Sequence, residues 1–278
     1  MDAPIFFDTH AHVDYPDYEA DLTAVVERAG QAGVAKIISI GTSLASSERA
    51  IRLAERFSGV YAAIGWHPTE ALEAPADLRP ALRELARHPR VVAIGETGLD
   101  YYRLPSSTGG SAADDQAYKT RQAEVFQQQL EVAREFKLNC VIHQRAAFAD
   151  TLAQLQPFAG HVRGVFHCFG ESVARLRQVL ELGCLVSYTG LVTFKNAQNV
   201  RDAVAATPAG RFMLETDCPY LAPVPYRGKR CEPAYVKEIS EAVALVRNCP
   251  LADLSDETCR TALEFFPKLA SESAVDGQ

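Results

Sequence analysis

Two histidines at the end of the first apolar segment have types and a spacing that suggest metal chemistry. In FFDTHAHVD, residues 6–14, His10 and His12 stand two positions apart. Alternate side chains of an extended strand point to the same side, so both imidazoles would face one site. Imidazole nitrogen is a common ligand of metal ions. The pair therefore suggests a metal site, although two ordinary turn histidines have the same spacing.

The other residues that could bind a metal lie at the ends of later predicted strands. They are His67 at the end of the third strand, Glu96 of the fourth, His143 of the fifth, His167 of the sixth and Asp217 of the eighth. The two remaining histidines, His88 and His161, are interpreted as surface or loop residues. These side chains could each hydrogen-bond the end of their own strand. Because so many potential metal ligands lie at strand ends, a single shared metal site is favoured.

A repeating pattern of strands and helices provides the frame for these residues. Eight short runs rich in Val, Ile and Phe, from PIFFDTH to RFMLETD, alternate with amphipathic segments such as residues 118–137. The pattern predicts an α/β fold, a closed (β/α)8 TIM-like barrel. A doubly wound open sheet is the competing fold, but no GxGxxG turn follows the first strand. We expect a single domain over 1–278 with its core at about 4–267, a mobile loop over 106–116, an extra helix over 255–270 and a frayed tail over 268–278.

The carboxyl ends of the strands are where such barrels build their active sites. Strands one and eight become neighbours when the barrel closes, and strands four to six face them across the mouth. A glutamate on strand four would reach the centre and bridge two metal ions about 3.5–4 Å apart. The predicted ligands are His10, His12, Glu96 and Asp217 for one ion, and Glu96, His143 and His167 for the other.

The composition narrows the class of protein. With 28 basic and 35 acidic residues the formal net charge is −7, which argues against a protein that coats nucleic acid through a broad basic face. The sequence predicts neither a signal peptide nor a membrane span. Seven cysteines without a CxxC pair predict reduced thiols. We therefore expect a cytoplasmic protein that does not attach to membranes and has no evident obligate protein partner.

A series of motifs runs in order along almost the whole chain. They are FFDTHAHVD, GWHP (65–68), IGETGLDYY (94–102), QAEVFQQQLEVA (122–133), VIHQR (141–145), GVFHCFG (164–170), LETDCPYLAP (214–223) and YRGKR (226–230). In these motifs the chain resembles the TatD-type metal-dependent hydrolases, often described as TatD DNases, within the wider amidohydrolase-like metal barrels. The resemblance implies a TIM-like barrel that hydrolyses nucleic-acid phosphodiesters. It also implies a divalent-metal site at His10, His12, Glu96, His143, His167 and Asp217.

Four features depart from the pattern of that family. HQR is followed by Ala146 where an acidic residue is common, and Cys231 replaces the usual asparagine of RGKRNEP. Thr261 stands where a C-terminal motif often carries asparagine, and residues 106–116 are inserted near the rim. All six ligand positions are retained. We therefore expect the departures to affect substrate fit and catalytic efficiency rather than metal binding.

The expected reaction is hydrolysis of DNA, with RNA as an alternative substrate and with a preference for single strands or ends. Two divalent metal ions (Zn, Mn, Fe or Mg) would lower the pKa of a bound water toward about 7. Asp217 is predicted to bind a metal and to accept the proton of that water, with Glu96 bridging the ions. Glu215, two residues before Asp217, would contact a metal-binding side chain and orient it without binding the metal itself, or would be purely structural.

Other residues are predicted to contact the substrate. His67 would contact the phosphate or protonate the leaving oxygen, or else hydrogen-bond a rim loop. Tyr102 would stack on an unpaired base. Flanking phosphates would bind cationic side chains, namely Arg145, Arg227, Lys229 and Arg230.

Two other functions remain open at this stage. One is a binuclear-metal hydrolase of a small-molecule amide, lactone or phosphoester. Many such barrels use a carboxylated lysine on strand four, whereas this chain has Glu96 and no lysine in VVAIGET. The other is a barrel that binds metal or a partner protein without catalysis, which the complete ligand set disfavours.

Overall fold

Eight parallel strands form the central sheet of the computed structural model, which describes residues 3–269. The strands are β1 (Phe6–Ala11), β2 (Val34–Ile40), β3 (Val60–Ile64), β4 (Val91–Asp100), β5 (Asn139–Arg145), β6 (Gly164–Phe166), β7 (Leu185–Tyr188) and β8 (Phe212–Leu214). Each strand pairs in parallel with the next one along the chain. The predicted (β/α)8 barrel is therefore confirmed.

Helices cover the outside of the sheet. They are α1 (Leu22–Gln31), α2 (Leu44–Arg56), α3 (Arg79–Ala86), α4 (Ala112–Phe136), α5 (Phe148–Leu155), α6 (Val173–Glu181), α7 (Gln198–Ala206), α8 (Val236–Arg247) and α9 (Leu251–Phe265). One helix follows each strand, and α9 is the predicted extra helix, which begins four residues earlier than expected. Within residues 3–269, no helix is long and apolar enough to cross a membrane.

The barrel closes through backbone contacts between β1 and the segment after β8. The amide of Asp217 donates to the carbonyl oxygen of His10 at 2.9 Å, and the amide of His12 donates to Cys218 at 2.8 Å. Below them, the Thr216 hydroxyl donates to the buried carboxylate of Asp8 at 2.6 Å. These bonds fix Asp217 beside His10 and His12, although the two segments are about 200 residues apart in sequence.

Helix α9 covers one end of the barrel. Apolar side chains from all eight strands, among them Ile38, Val141 and Met213, form a buried cluster with Ala262 and Phe265 of α9. The strand residues in this cluster come mainly from the amino-terminal halves of the strands, so α9 closes the amino end. The carboxyl end is left open, and it is there that the chemistry-bearing residues lie.

The expectation of a mobile loop over residues 106–116 is wrong for its second half. A 3-10 turn occupies Pro105–Thr108, and α4 begins at Ala112. The Ser111 side chain accepts from the amide of Asp114, and the Asp114 carboxylate accepts from the amide of Ser111. This reciprocal capping box satisfies two amides that a helix start leaves unpaired, so the helix begins early.

The carboxyl-terminal boundary also differs from expectation. Pro267–Leu269 forms a 3-10 turn whose Leu269 is fully buried, so the first residues of the predicted frayed tail are packed. The rest of that predicted tail, residues 270–278, lies outside the described residues. All seven cysteines have free thiols, and five of them are buried.

Helix α4 holds the rim loops through buried glutamines. The Gln129 amide accepts from the amide of Trp66 at 2.8 Å and donates to the carbonyl oxygen of the same residue at 2.9 Å. Gln122 makes the same paired contact with Asp100, at 2.8 and 2.9 Å. Both glutamines are fully buried. Because β3 ends at Ile64, the residues beyond it and the end of β4 have no strand pairing with each other, and the two glutamines bond to this backbone instead.

We expect Gln129→Met to destabilise the protein by roughly 2–4 kcal/mol, because two backbone groups of Trp66 lose the buried side chain that pairs with both of them. The measurement is the free energy of unfolding in urea. Gln127→Met on the same helix is the matched control, since Gln127 is partly exposed and bonds only Glu131. Equal stability of the two variants would contradict the role assigned to Gln129.

Candidate metal centre

Glu96 lies at the centre of the open end of the barrel. The expectation that it ends the fourth strand is wrong, because β4 continues to Asp100 and pairs with β5 over Gly98↔His143 and Asp100↔Arg145. Gly98 has φ +140°, and a side chain there would collide with the carbonyl oxygen of His143. The glycine therefore allows β5 to approach closely and brings His143 beside Glu96.

The first group of side chains surrounds one carboxylate oxygen of Glu96. Glu96 Oε2 lies 3.5 Å from His10 Nε2 and 3.6 Å from His12 Nε2. The two imidazole nitrogens are 3.2 Å apart. Asp217 Oδ1 completes the group at 3.6 Å from His10 Nε2 and 3.5 Å from His12 Nε2. The carboxylates of Glu96 and Asp217 thus both lie beside the paired nitrogens of His10 and His12.

A second group surrounds the other oxygen of the same carboxylate. Glu96 Oε1 lies 2.8 Å from His143 Nδ1 and 2.8 Å from His167 Nε2. His67 Nε2 joins them at 3.3 Å from Glu96 Oε1 and 3.2 Å from His143 Nδ1. The two oxygens of Glu96 are therefore divided between two sets of imidazoles, which is the arrangement that a bridging ligand needs.

Carboxylates lie beside the far nitrogens of two imidazoles. His143 Nε2 lies 3.0 Å from Asp100 Oδ2, and His167 Nδ1 lies 3.5 Å from Glu215 Oε1. Glu215 is itself fixed, because it accepts hydrogen bonds from the Cys168 amide and the Ser187 hydroxyl. Such partners orient metal-binding histidines and raise their basicity. The predicted orienting role of Glu215 fits this geometry.

Opposite charges stabilise each other inside the cluster. Burial alone would raise the pKa of Glu96, but the positive charge of nearby imidazoles, His167 first, holds that pKa well below its ordinary value. Burial alone would lower the pKa of His167, but the charge of Glu96 and the contact with Glu215 raise it well above the ordinary value. Glu96 is therefore an ionised carboxylate, able to act as a ligand.

The spacing of the donor atoms fits a bound metal ion. Ligands at about 2.0–2.1 Å from a tetrahedral ion are about 3.3 Å apart. In the first group the distances from His10 Nε2 and His12 Nε2 to each other and to the two carboxylates run from 3.2 to 3.6 Å. Within residues 3–269, three sets of side chains have donor atoms close enough to share an ion, namely His10 with His12 and Glu96, His10 with His167 and Asp217, and His67 with Glu96 and His143.

Asp100→Asn should weaken metal binding by about 10–100-fold, because an amide holds the His143 ring less firmly than a carboxylate does. The measurement is the dissociation constant for zinc by competition with a chromogenic chelator. Asp202→Asn is the matched control, since Asp202 is exposed on α7 and bonds Gln198. Unchanged zinc affinity in Asp100→Asn would show that Asp100 does not support metal binding through His143.

Polar and aromatic side chains surround the mouth of the site. Arg145 lines the cavity above the ligands, and its guanidinium stacks on the ring of Tyr102 at 3.6 Å. Tyr102 is 56% exposed. Tyr220, 54% exposed, lines the same cavity beside His12. The structure thus places at the mouth two residues that were predicted to contact the substrate, Arg145 and Tyr102. Tyr220, which was not among the predicted residues, lies there as well.

The three cationic side chains of the loop after β8 do not lie together as predicted. Arg230 is bound by the Asp21 carboxylate at 2.8 Å and the Asp17 carbonyl oxygen at 2.6 Å, away from the ligands. Lys229 lies beside the ring of Tyr226. Arg227 lines a cavity that shares Gly170 and Leu191 with the cavity beside His167 and Asp217. The three cations therefore do not form one anchoring cluster.

Comparison with known proteins identifies the family of this barrel. Residues 7–267 match the family model described as TatD related DNase. The chain belongs to this family. A Bacillus subtilis relative, named an uncharacterized metal-dependent hydrolase, YabD, is 37% identical over 263 residues that cover 94% of this chain and 99% of that protein. The chain is therefore a member of a family of metal-dependent hydrolases.

Two further members of the TatD family are informative. A Klebsiella pneumoniae protein named 3'-5' ssDNA/RNA exonuclease TatD is 34% identical over 244 residues, covering 86% of this chain and 89% of that protein. The crystal structure of the TatD homologue YjjV from Escherichia coli K12 superposes with a TM-score of 0.85 at 28% identity, covering 94% of this chain and 98% of the other. The fold of the present chain is thus that of a solved TatD homologue.

Sequence reasoning missed two parts of the centre. It assigned His67 to the substrate, whereas the structure sets its Nε2 among the potential ligand atoms. It also passed over Asp100, although Asp100 lies within the motif IGETGLDYY, four residues after Glu96. An even spacing along a strand places two side chains on one face, and this was the available signal.

Proposed function

We propose that this protein is a metal-dependent nuclease that hydrolyses phosphodiester bonds in single-stranded DNA or RNA, starting from an end. The observation that carries the proposal is the division of the Glu96 oxygens between two groups of imidazoles at the open end of the barrel. Two-ion sites of this kind are widely used for phosphodiester cleavage. The names of the relatives as ssDNA/RNA exonucleases support the choice of substrate.

The proposed ligands divide as the distances suggest. His10, His12, Glu96 and Asp217 would hold one divalent ion, and Glu96, His143 and His167 the other, with His67 next to the second group. When bound, such ions lower the pKa of water and offset negative charge on phosphoryl oxygens. Imidazole-rich shells favour Zn, Mn or Fe over Mg, which prefers oxygen ligands.

Side chains of this chain would perform the remaining steps. Asp217 is proposed to accept the proton of the attacking water. Burial alone would raise the pKa of Asp217, but the hydrogen bond from His12 and the nearby imidazole charges lower it, so the carboxylate is free to accept a proton. His67, whose pKa is lowered by burial, would be a neutral donor to the substrate phosphate. Arg145 would bind a phosphoryl oxygen.

The barrel is proposed to act as one unit. Every proposed ligand lies within a strand of a single eight-stranded sheet or within three residues of a strand end, which supports a single domain. Metal identity, the number of ions and these residue roles are parts of the proposal.

The test is cleavage of 5'-labelled single-stranded DNA and RNA by the purified protein, with Zn, Mn, Fe, Mg or EDTA in parallel. We expect stepwise shortening of the labelled strand that requires a divalent ion, with EDTA reducing turnover at least a hundredfold. Stepwise shortening of a 5'-labelled strand indicates removal from the 3' end. No cleavage by protein shown to hold metal, together with turnover of a small phosphoester or lactone, would overturn the nuclease proposal.

A further inference from the structure

A cavity of about 450 Å³ leads away from the metal centre. His167 and Asp217 form part of its wall, and so do Gly170 and Leu191 from the loops after β6 and β7. A second cavity of about 410 Å³ is bounded by the same Gly170 and Leu191. Because the two cavities share these two residues, they are adjacent, and the second lies on the side of the first that carries Gly170 and Leu191.

The second cavity has a cationic wall. Lys195 and Arg227 both line it, and no carboxylate does. Within residues 3–269, neither side chain has a carboxylate within ion-pair distance. The Arg227 guanidinium stacks on the ring of Phe194 at 3.6 Å. In a protein of net charge −7, this wall is suited to an anion with a flat group attached to it.

The loop that carries this wall is held in place. The Arg201 guanidinium donates to the carbonyl oxygen of Phe194 at 2.8 Å and to that of Lys195 at 3.3 Å. The Asn199 side-chain amide, in the first turn of α7, donates to the carbonyl oxygen of Gly170 at 2.7 Å, which joins the loop after β6 to that helix. Because the backbone of this loop is already fixed, less conformational entropy is lost when a ligand binds and orders the side chains.

We propose that the cavity bounded by Gly170, Phe194, Lys195, Asn199 and Arg227 binds a nucleotide of the substrate that lies beyond the one being cleaved. This inference rests on the proposed nuclease function. Lys195 and Arg227 bind the phosphate of that nucleotide, and the stacked pair of Phe194 and Arg227 supports its base. The protein therefore prefers strands of several nucleotides over dinucleotides.

The test compares substrates of different length on the metal-loaded protein. Oligothymidylates of two, four and eight nucleotides and bis(p-nitrophenyl) phosphate are assayed for kcat and KM. The variant is Lys195→Glu, with Lys237→Glu on α8 as the matched exposed control. We expect KM to fall with length in the wild type. We expect Lys195→Glu to raise KM for the octamer about tenfold, with less than a twofold change for the dinucleotide.

Salt dependence provides a second readout that a structural role would not change. Loss of one phosphate contact reduces the slope of log KM against log salt concentration by about 0.7 for a single strand. We expect that reduction for the octamer in Lys195→Glu and not in Lys237→Glu. The conservative Lys195→Gln, with a smaller rise in KM, covers the case in which the charge reversal disturbs folding.

The outcomes separate the two proposals. If the wild type hydrolyses none of these substrates, the nuclease function itself fails. If it hydrolyses all of them with a KM that does not depend on length, or if Lys195→Glu affects dinucleotide and octamer equally, the second cavity is not a nucleotide site.

Discussion

Replacement of Glu96 by glutamine is expected to remove bound metal and to reduce turnover on the order of a thousandfold or more. The reason lies in the geometry of the carboxylate, since each oxygen faces a different set of imidazoles. An amide keeps one oxygen but presents an NH2 group on the other side, which repels a cation. One ion position therefore loses its ligand, and the other keeps a neutral oxygen in place of a charged one. The measurements are metal content by mass spectrometry and turnover of labelled single-stranded DNA.

The control for this variant is Glu84→Gln. Glu84 is an exposed residue of α3 that pairs only with Arg87, so its replacement changes the charge by the same amount without touching the centre. We expect wild-type metal content and turnover in Glu84→Gln. Near-ultraviolet circular dichroism of Glu96→Gln should match the wild type. Two bound ions per chain and full turnover in folded Glu96→Gln would show that Glu96 is not the bridging ligand.

The grouping of the proposed ligands was predictable because it follows from local rules. Strand periodicity places His10 and His12 on one side, and closure of a barrel places strand eight beside strand one. The sequence therefore predicts correctly that Asp217 lies with the two histidines, at 3.5–3.6 Å. It also predicts that Glu96 on strand four lies with His143 and His167 of the next two strands, and Glu96 Oε1 lies 2.8 Å from a nitrogen of each.

Some hydrogen-bond and ion-pair partners were not predictable in the same way, because they depend on contacts between distant parts of the chain. The contact of His143 with Asp100 depends on the register of β4 against β5, which Gly98 permits. The pairing of Arg230 with Asp21 joins residues 209 positions apart, and it removes from the mouth a cation that the basic loop appeared to offer. In both cases the tertiary structure decides between several partners of suitable charge.

The start of α4 is different, because its signal was local. Ser111 and Asp114 have the spacing of a capping box, and the preceding Gly109 and Gly110 favour a turn. The polar composition of residues 106–116 suggested a mobile loop, but composition carries less information here than the capping pair. The helix gains about a turn and a half beyond its predicted start at residue 118.

Asp217→Asn is expected to lower kcat by about 10²–10⁴-fold while the fold is retained. Asp217 has φ +57°, in the left-handed region that asparagine adopts readily, so the backbone need not move. The asparagine oxygen can still face His10 and His12, but the amide cannot accept a proton from water. Loss of turnover should therefore exceed loss of metal. Turnover and metal content are measured on the same preparation, with exposed Asp202→Asn as the control.

A second substitution at the same position separates the two roles proposed for Asp217. Asp217→Ala removes the ligand oxygen as well as the base, so it should lose metal at the His10 and His12 side in addition to turnover. If Asp217→Asn and Asp217→Ala lose the same amount of metal, the carboxylate acts mainly as a ligand. If Asp217→Asn turns over at the wild-type rate, Asp217 is not the base, and the proton must pass to another group at the mouth.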